Sequence, residues 1–153
     1  MKIIKFSIIF LFLFGCGYTP IYESKQTVDF KLAKIKYEGD TKINKEIQKK
    51  IEFFKNNKSN NIYELNLFST KQNEILTKNE KGDATSFRLI INVDILLSSE
   101  VGNKVISKNF NVEETYNSME NKFELSQYRE NLEKNILSQI VQEITIFFSL
   151  IEK

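Results

Sequence analysis

Cys16 is the residue whose chemical role is clearest from the sequence. It is the single Cys among 153 residues and the chain contains no His. This composition excludes a disulfide within the chain, a zinc site of Cys and His ligands, and a His general base. The carboxylates that would remain for catalysis, Glu113 with Glu114 and Asp94 with Glu100, are interpreted as solvated surface charge. We therefore expect a protein that is not an enzyme, with no catalytic residue, no cofactor and no bound metal.

The residues before Cys16 have the layout of a secretory signal peptide, which we assign to residues 1–15. Lys2 and Lys5 precede an apolar run from Phe6 to Phe14. A membrane-spanning helix needs about 20 apolar residues, so this run is too short to be a stable anchor.

The four residues Leu13-Phe14-Gly15-Cys16 resemble the bacterial lipobox, in which a small residue precedes a cysteine that receives a diacylglyceryl group. We predict that Cys16 is lipidated and begins the mature protein. The alternatives are an ordinary signal peptide with an incidental Cys, or a buried free thiol. One acyl chain binds a membrane marginally, whereas two or three anchor a protein durably. Gly17 replaces the acidic residue that retains lipoproteins in the inner membrane of enteric-type bacteria, which favours the outer membrane.

The mature chain has a neutral charge balance. Removing Lys2 and Lys5 with the signal peptide leaves equal numbers of basic and acidic residues. Phosphate backbones are bound by a local excess of Lys and Arg, so we expect no nucleic-acid partner.

The first part of the mature chain predicts a tether, a strand and a helix. Residues 16–27 carry the one Pro of the sequence and no periodicity, so we expect an extended tether before a single domain at residues 28–153. Residues 28–38 alternate as a strand does, and Thr41 is placed to cap a helix that runs to about Lys55. The apolar residues of this strand fall on two faces, Phe30 and Leu32 on one and Ala33, Ile35 and Tyr37 on the other.

Three further strands are predicted by alternating apolar residues. Residues 62–70 form the first, and the polar stretch 71–83 is predicted to be a flexible loop, in which Ile75 and Leu76 are candidates to extend the strand. Every second residue from Phe87 to Leu97 is apolar, which predicts a long half-buried strand. Turn residues follow it, and residues 105–116 are predicted to return as the second strand of an antiparallel hairpin.

A long amphipathic helix is predicted for residues 118–152, because apolar residues recur at helical spacing and the segment lacks Gly and Pro. Its end, residues 144–151, is apolar around nearly the whole circumference, and such a helix is covered on more than one side. Two interpretations stay open: the chain end enters its own core, or it docks on a partner. The candidate docking residues are Ile144, Phe147, Phe148 and Ile151.

These elements predict an α+β domain with two layers, in which a four-stranded, mostly antiparallel or mixed sheet packs on two helices in the order β-α-β-β-β-α. One apolar stripe on each helix and one apolar face on the sheet are all buried by this arrangement.

The segment CGYTPIY (residues 16–22) resembles the start of the lipopolysaccharide-assembly lipoprotein family LptE. That family also has one helix between its first two strands, a stretch like GDATSFRL (residues 82–89) that enters a long strand, and a long C-terminal helix. The resemblance covers essentially the whole chain. It implies a subunit of the outer-membrane translocon that inserts lipopolysaccharide into the outer leaflet.

The same resemblance implies the partners. Members of the family plug the β-barrel protein LptD, assist its assembly and bind lipopolysaccharide, so we expect LptD, lipopolysaccharide and a membrane reached through the lipid anchor. The expected location is the outer membrane, facing the periplasm or inside the barrel lumen. Lys78, Lys81 and Arg88 are nominated as contacts for lipopolysaccharide phosphates. The alternative is another outer-membrane structural lipoprotein, such as a scaffold or a secretin pilot, and a periplasmic carboxylate hydrolase is a third class.

Overall fold

The computed structural model describes residues 30–151, which form four strands and two long helices in the predicted order. A 3-10 helix, Glu52–Asn56, continues the first long helix. The elements are β1 (Lys31–Gly39), α1 (Thr41–Ile51), β2 (Ile62–Lys78), β3 (Ala84–Ser99), β4 (Val105–Asn117) and α2 (Lys122–Leu150). The fold class expected from the sequence, an α+β domain of order β-α-β-β-β-α with a mixed sheet, is confirmed.

The strands form one mixed sheet in the order β1-β2-β3-β4. β1 lies parallel to β2, because α1 carries the chain back between them, and the two hairpins that follow are antiparallel. The hydrophobic core lies between one face of this sheet and the helices. Its β3 members are no more than 2% exposed, and burial of each such side chain contributes about 1.5–3 kcal/mol. They are Leu89, Ile91, Val93, Ile95 and Leu97.

A β-bulge in β1 corrects the expectation that its apolar residues lie on two faces. The register with β2 shifts between Leu32 and Lys34, so Ala33 is an extra residue in the ladder. The extra residue reverses the alternation, and Ile35 and Tyr37 pack against the same core as Phe30.

Both long helices are capped by the side chain of the residue that precedes their first turn. Asp40, and not the predicted Thr41, caps α1, since its carboxylate accepts from the backbone N–H groups of Lys42 at 2.9 Å and Ile43 at 3.0 Å. Asn121 caps α2, which therefore begins a few residues later than expected. An aspartate cap satisfies two backbone donors that the first turn of a helix leaves free.

The expected flexible loop at residues 71–83 is wrong, whereas the alternative in which Ile75 and Leu76 extend strand β2 is confirmed. The strand continues to Lys78, paired with β3, and a tight turn closes the hairpin. In that turn Asn79 Oδ1 accepts from the backbone N–H groups of Lys81 and Asp83 at 3.0 and 2.9 Å. Residues 71–78 are exposed on both faces, so the strand shows no apolar alternation.

The apolar end of α2 is covered from two sides. Phe148 is fully buried and meets Phe30 and Phe54 edge to face, with ring centroids 5.6 and 5.1 Å apart. Phe147 points toward the sheet, 5.9 Å from Phe110 of β4. The 3-10 helix that carries Phe54 thus covers the side that the sheet cannot reach.

A buried polar network joins β1, α1, β2 and α2. Ser69, which is fully buried, donates to Asn44 Oδ1 at 2.8 Å. Asn44 donates in turn to the Glu38 carbonyl at 3.0 Å. On the α2 side the Glu133 carboxylate is 8% exposed. It forms ion pairs with the Lys42 ammonium at 3.0 Å and the Lys71 ammonium at 3.3 Å. Two cations compensate this buried carboxylate, so the network is a specific link between the layers.

Tyr37→Phe tests a buried hydroxyl of this core. Among the described residues Tyr37 Oη has no hydrogen-bond partner, and burial, followed by the negative charge of Glu52, raises the pKa of Tyr37 from 10.0 to about 12. Between these two values the unfolded chain releases this proton and the folded chain keeps it, so the free energy of unfolding falls as the pH rises through that window.

We expect Tyr37→Phe to lose this alkaline decline relative to wild type and to be at least as stable at neutral pH. Tyr116→Phe is the matched control, since the Tyr116 hydroxyl donates to Asn73 Oδ1 at 2.8 Å and its removal costs about 1 kcal/mol. Urea unfolding of the three proteins across this pH range measures both effects. Equal losses for the two variants at neutral pH would contradict the prediction.

Candidate functional surfaces

Three surfaces of the domain are candidates for function. Cys16, the signal peptide at residues 1–15 and the tether at residues 16–27 lie outside the described residues. The nominated basic residues lie on the far end of the β2–β3 hairpin, and the nominated apolar residues lie at the end of α2. The third surface is the face of the sheet that points away from the helices, called the outer face below.

The nominated basic residues are spread along the hairpin. Lys78 is the last residue of β2 and Lys81 lies in the turn, whereas Arg88 is paired with Glu74 four residues back along β2. At about 3.3 Å per residue, Arg88 is therefore roughly 13 Å from the level of Lys78. Arg88 Nη1 also lies 3.7 Å from the Glu113 carboxylate on β4. The three cations do not converge on one point.

The hairpin turn is also balanced in charge. Glu80 and Asp83 accompany Lys78 and Lys81 at the same tip, and all four side chains are exposed. A phosphate at this tip would meet two carboxylates beside the two ammonium groups. The tip therefore supplies individual ligands for a phosphate but no strong positive field.

The structure places the four nominated apolar residues inward. Ile144 and Phe148 are fully buried, and Phe147 and Ile151 are partly buried against the core. Sequence reasoning singled out this helix end but not the residues that reach its surface. These are Ile146, 49% exposed, and Leu150, 58% exposed. A partner that docks here would meet these two side chains.

The outer face carries two cross-strand rows that the sequence analysis did not single out. Register pairs place these residues side by side across the four strands. The first row is Glu38, Phe68, Asp94 and Asn109, and the second is Lys36, Asn66, Leu96 and Ser107. They line a shallow depression of about 500 Å³. The sequence did contain a sign of this surface. In β2 and β3 one residue of the otherwise polar face is apolar, Phe68 and Leu96 respectively.

Hydrogen bonds hold the polar groups of the outer face in fixed orientations. The Asp94 carboxylate accepts from Asn92 at 3.0 Å and from Asn109 at 2.7 Å. Lys36 donates to Glu38 at 2.6 Å, and this bond raises the pKa of the Lys36 ammonium. Beside them Phe68 is 45% exposed and Leu96 is 39% exposed. The surface is thus an ordered polar array with one aromatic ring near its centre.

Residues 30–151 contain neither a metal-binding cluster nor a membrane-spanning helix. No group of three carboxylates, cysteines or histidines in that range is arranged to hold a metal ion. Neither described helix combines the length and the apolar character needed to cross a membrane.

Comparison with solved structures assigns the fold. The crystal structure of rare lipoprotein B from Shewanella oneidensis superposes with a TM-score of 0.54 at 13% identity, over 78% of this chain and 99% of that one. The fold is that of rare lipoprotein B, the LptE type. The solution structure of lipoprotein B from Nitrosomonas europaea gives a TM-score of 0.51 at 17% identity, over 76% of this chain and 83% of that one. A minor lipoprotein from Acinetobacter baumannii gives 0.50 at 18% identity, over 76% and 91%.

Comparison of structures finds this fold, whereas comparison of sequences finds no relative. No family model matches the chain, and no curated protein matches it. Identities this low show a shared fold alone. The LptE resemblance carried by the N-terminal segment and the order of elements is thereby supported at the level of the fold.

Proposed function

We propose that this protein is an outer-membrane lipoprotein that serves lipopolysaccharide assembly by binding the LptD β-barrel as a plug, assisting its assembly and binding lipopolysaccharide. The observation that carries the proposal is the rare lipoprotein B fold, which spans nearly the whole of the Shewanella structure. Cys16 would attach the domain to the inner leaflet of the outer membrane through its acyl chains. The domain would then face the periplasm or lie in the barrel lumen, and it would catalyse no reaction.

The shape of the sheet supports a role as a plug. β2 and β3 are the longest strands, at 17 and 16 residues. At about 3.3 Å per residue each spans roughly 55 Å, beyond the layer that the helices cover. The exposed far end of this hairpin offers polar contacts on both faces to the wall of a surrounding barrel.

Copurification tests the proposal. The tagged lipoprotein is extracted from its native membrane in mild detergent, and the retained protein is identified. We expect LptD at equal stoichiometry, and we expect depletion of the lipoprotein to lower the level of folded barrel in the outer membrane. A secretin ring in place of LptD would support the alternative of a secretion pilot. Recovery of a scaffold complex, or of no barrel, would also contradict the proposal.

A double substitution at the end of α2 tests partner docking without disturbing the core. Ile146→Ser with Leu150→Ser removes two exposed apolar side chains, and we expect about tenfold weaker capture of LptD with little change in the free energy of unfolding. Truncation after Thr145 cannot serve, because it removes the buried Phe148. Val101→Ser, at an exposed turn residue, is the control. Unchanged capture by a folded double variant would exclude docking at this helix end.

Charge reversal tests the nominated lipopolysaccharide contacts. We expect the triple variant K78E, K81E and R88E to bind purified lipopolysaccharide at least about tenfold more weakly, because three cations that can contact phosphates become anions. Exposed lysines of α1 supply the control variant, K45E with K50E. Affinity is measured by titration at two salt concentrations. If the triple variant and the control bind equally well, the nomination is wrong.

A further inference from the structure

The outer face has the chemistry of a carbohydrate site. We infer that the depression around Phe68 binds a neutral stretch of glycan, which under the function proposed above is the saccharide portion of lipopolysaccharide. Only the source of the sugar depends on that proposed function. The recognition itself follows from the side chains on the two cross-strand rows.

An exposed aromatic ring is the first requirement for such a ligand. Pyranose rings present a face of C–H groups that packs on the face of an aromatic side chain. Phe68 is 45% exposed near the middle of a sheet, where it is flanked by Glu38 and Asp94 through the strand register. Leu96, 39% exposed on the neighbouring row, extends the apolar part of the floor.

Planar polar groups around that ring are the second requirement. Sugar hydroxyls both donate and accept hydrogen bonds. Carboxylates bind them by accepting hydrogen bonds, and amides bind them by donating and accepting. Asp94 and Asn109 are held in place by their mutual hydrogen bond of 2.7 Å, yet each retains further donor or acceptor capacity. Asn66 adds an amide that makes no side-chain hydrogen bond to the described residues, and Ser107 adds a hydroxyl.

The charges of the outer face disfavour an anionic ligand. Lys36 lies beside Glu38 and Asp94, so one cation is accompanied by two anions. A phosphate or a nucleotide would need an excess of positive charge, which this rim lacks. The recognised segment of the glycan is therefore one without phosphate groups.

Other occupants fit the surface less well. An acyl chain needs an enclosed apolar channel, whereas this depression is open and is bordered by the charged side chains of Lys36, Glu38 and Asp94. A protein partner would need roughly 800 Å² of contact around buried anchors, and here the exposed apolar groups are one ring and one leucine. A weakly bound sugar needs only a few polar contacts and one stacking platform.

Saturation-transfer NMR tests the inference with the mature lipoprotein in detergent micelles. The probe is the saccharide portion of lipopolysaccharide after removal of its lipid and its phosphates. We expect transfer to the sugar C–H protons, and no competition by inorganic phosphate. Phe68→Thr keeps a residue that favours β-structure but removes the ring, and we expect it to weaken binding by about fivefold.

Ile75→Thr is the matched control, because Ile75 lies on the same strand with 52% exposure but at a position that pairs with Phe87 on the opposite face. We expect it to bind the sugar as wild type does. Asn66→Ala is the second test variant, and it serves if Phe68→Thr fails to fold. The inference is overturned if the saccharide gives no transfer, if phosphate displaces it, or if the folded Phe68 variant (or Asn66→Ala in its place) binds as well as wild type.

The two proposals fail in different ways. Loss of the sugar signal with continued capture of LptD and of intact lipopolysaccharide would remove this site and leave the proposed function in place. Binding of the sugar without capture of LptD would keep the site and remove the translocon role.

Discussion

Gly39→Ala is expected to be the most destabilising single substitution considered for this domain, lowering the free energy of unfolding by about 3–5 kcal/mol. Gly39 lies at the end of β1 with φ +90°, a conformation that an alanine adopts only with strain. A Cβ atom built at this position would also lie 1.9 Å from the Ser69 carbonyl oxygen. That oxygen accepts the Asp40 backbone N–H at 3.0 Å, so relief of the clash disrupts the turn from β1 into α1.

Gly82→Ala separates the steric contribution from the conformational one. Gly82 has nearly the same φ, +87°, but a Cβ atom there meets nothing within 4 Å. We expect this variant to lose only about 1–2 kcal/mol, the cost of the left-handed backbone. Chemical denaturation of both variants gives the difference directly. Equal losses would show that β2 moves aside at Ser69 at little cost, so that the clash adds nothing to the conformational strain.

The surroundings of Gly39 show why the sequence predicted the order of the elements but not the hydrogen bonds that join them. A Gly-Asp pair between a strand and a helix is a recognisable turn signal. The hydrogen bonds from Ser69 to Asn44 and from Asn44 to the Glu38 carbonyl join residues far apart in the chain. No local pattern reports such contacts, so the buried network was accessible only from the coordinates.

The predicted strand boundaries were wrong where a strand is paired with its neighbour but is not buried. The alternation in β3 was decisive because one face of that strand is buried along most of its length. In β2 the same signal stops near Thr70, where the helices no longer cover the sheet, although pairing with β3 continues to Lys78. Apolar alternation reports burial and not hydrogen bonding, so an uncovered strand resembles a polar loop.

The sequence pointed to the end of α2 as a candidate surface but not to the outer face. Composition marked the end of α2 as unusually apolar, but the sequence could not show that Phe54 and Phe110 would cover its two sides. The outer face was missed because its signal is weak: Phe68 and Leu96 interrupt polar positions singly, and single apolar residues on a surface are common. Only the register of four strands brings them together with Asp94 and Asn109.

Cys16→Ser is expected to have the largest effect on location, because it removes the sulfur that would carry the diacylglyceryl group. Each buried methylene of an acyl chain contributes about 0.8 kcal/mol, so the loss of two or three chains changes a durable anchor into none. We expect the wild-type protein to sediment with the outer membrane and to show the mass of the lipid, and the variant to show neither. Detergent phase partitioning and mass spectrometry of the intact protein measure both.

Gly17→Asp is the companion variant, since it keeps the lipid and restores the acidic residue that retains lipoproteins in the inner membrane of enteric-type bacteria. We expect its mass to be unchanged and its location to shift to the inner membrane. The domain at residues 30–151 contains no Cys, so neither variant alters the core, and unfolding curves should coincide. A Cys16→Ser protein that still sediments with membranes would show that attachment comes from the uncleaved signal or from a partner. The mass of the variant distinguishes these two cases, because an uncleaved signal keeps residues 1–15 attached.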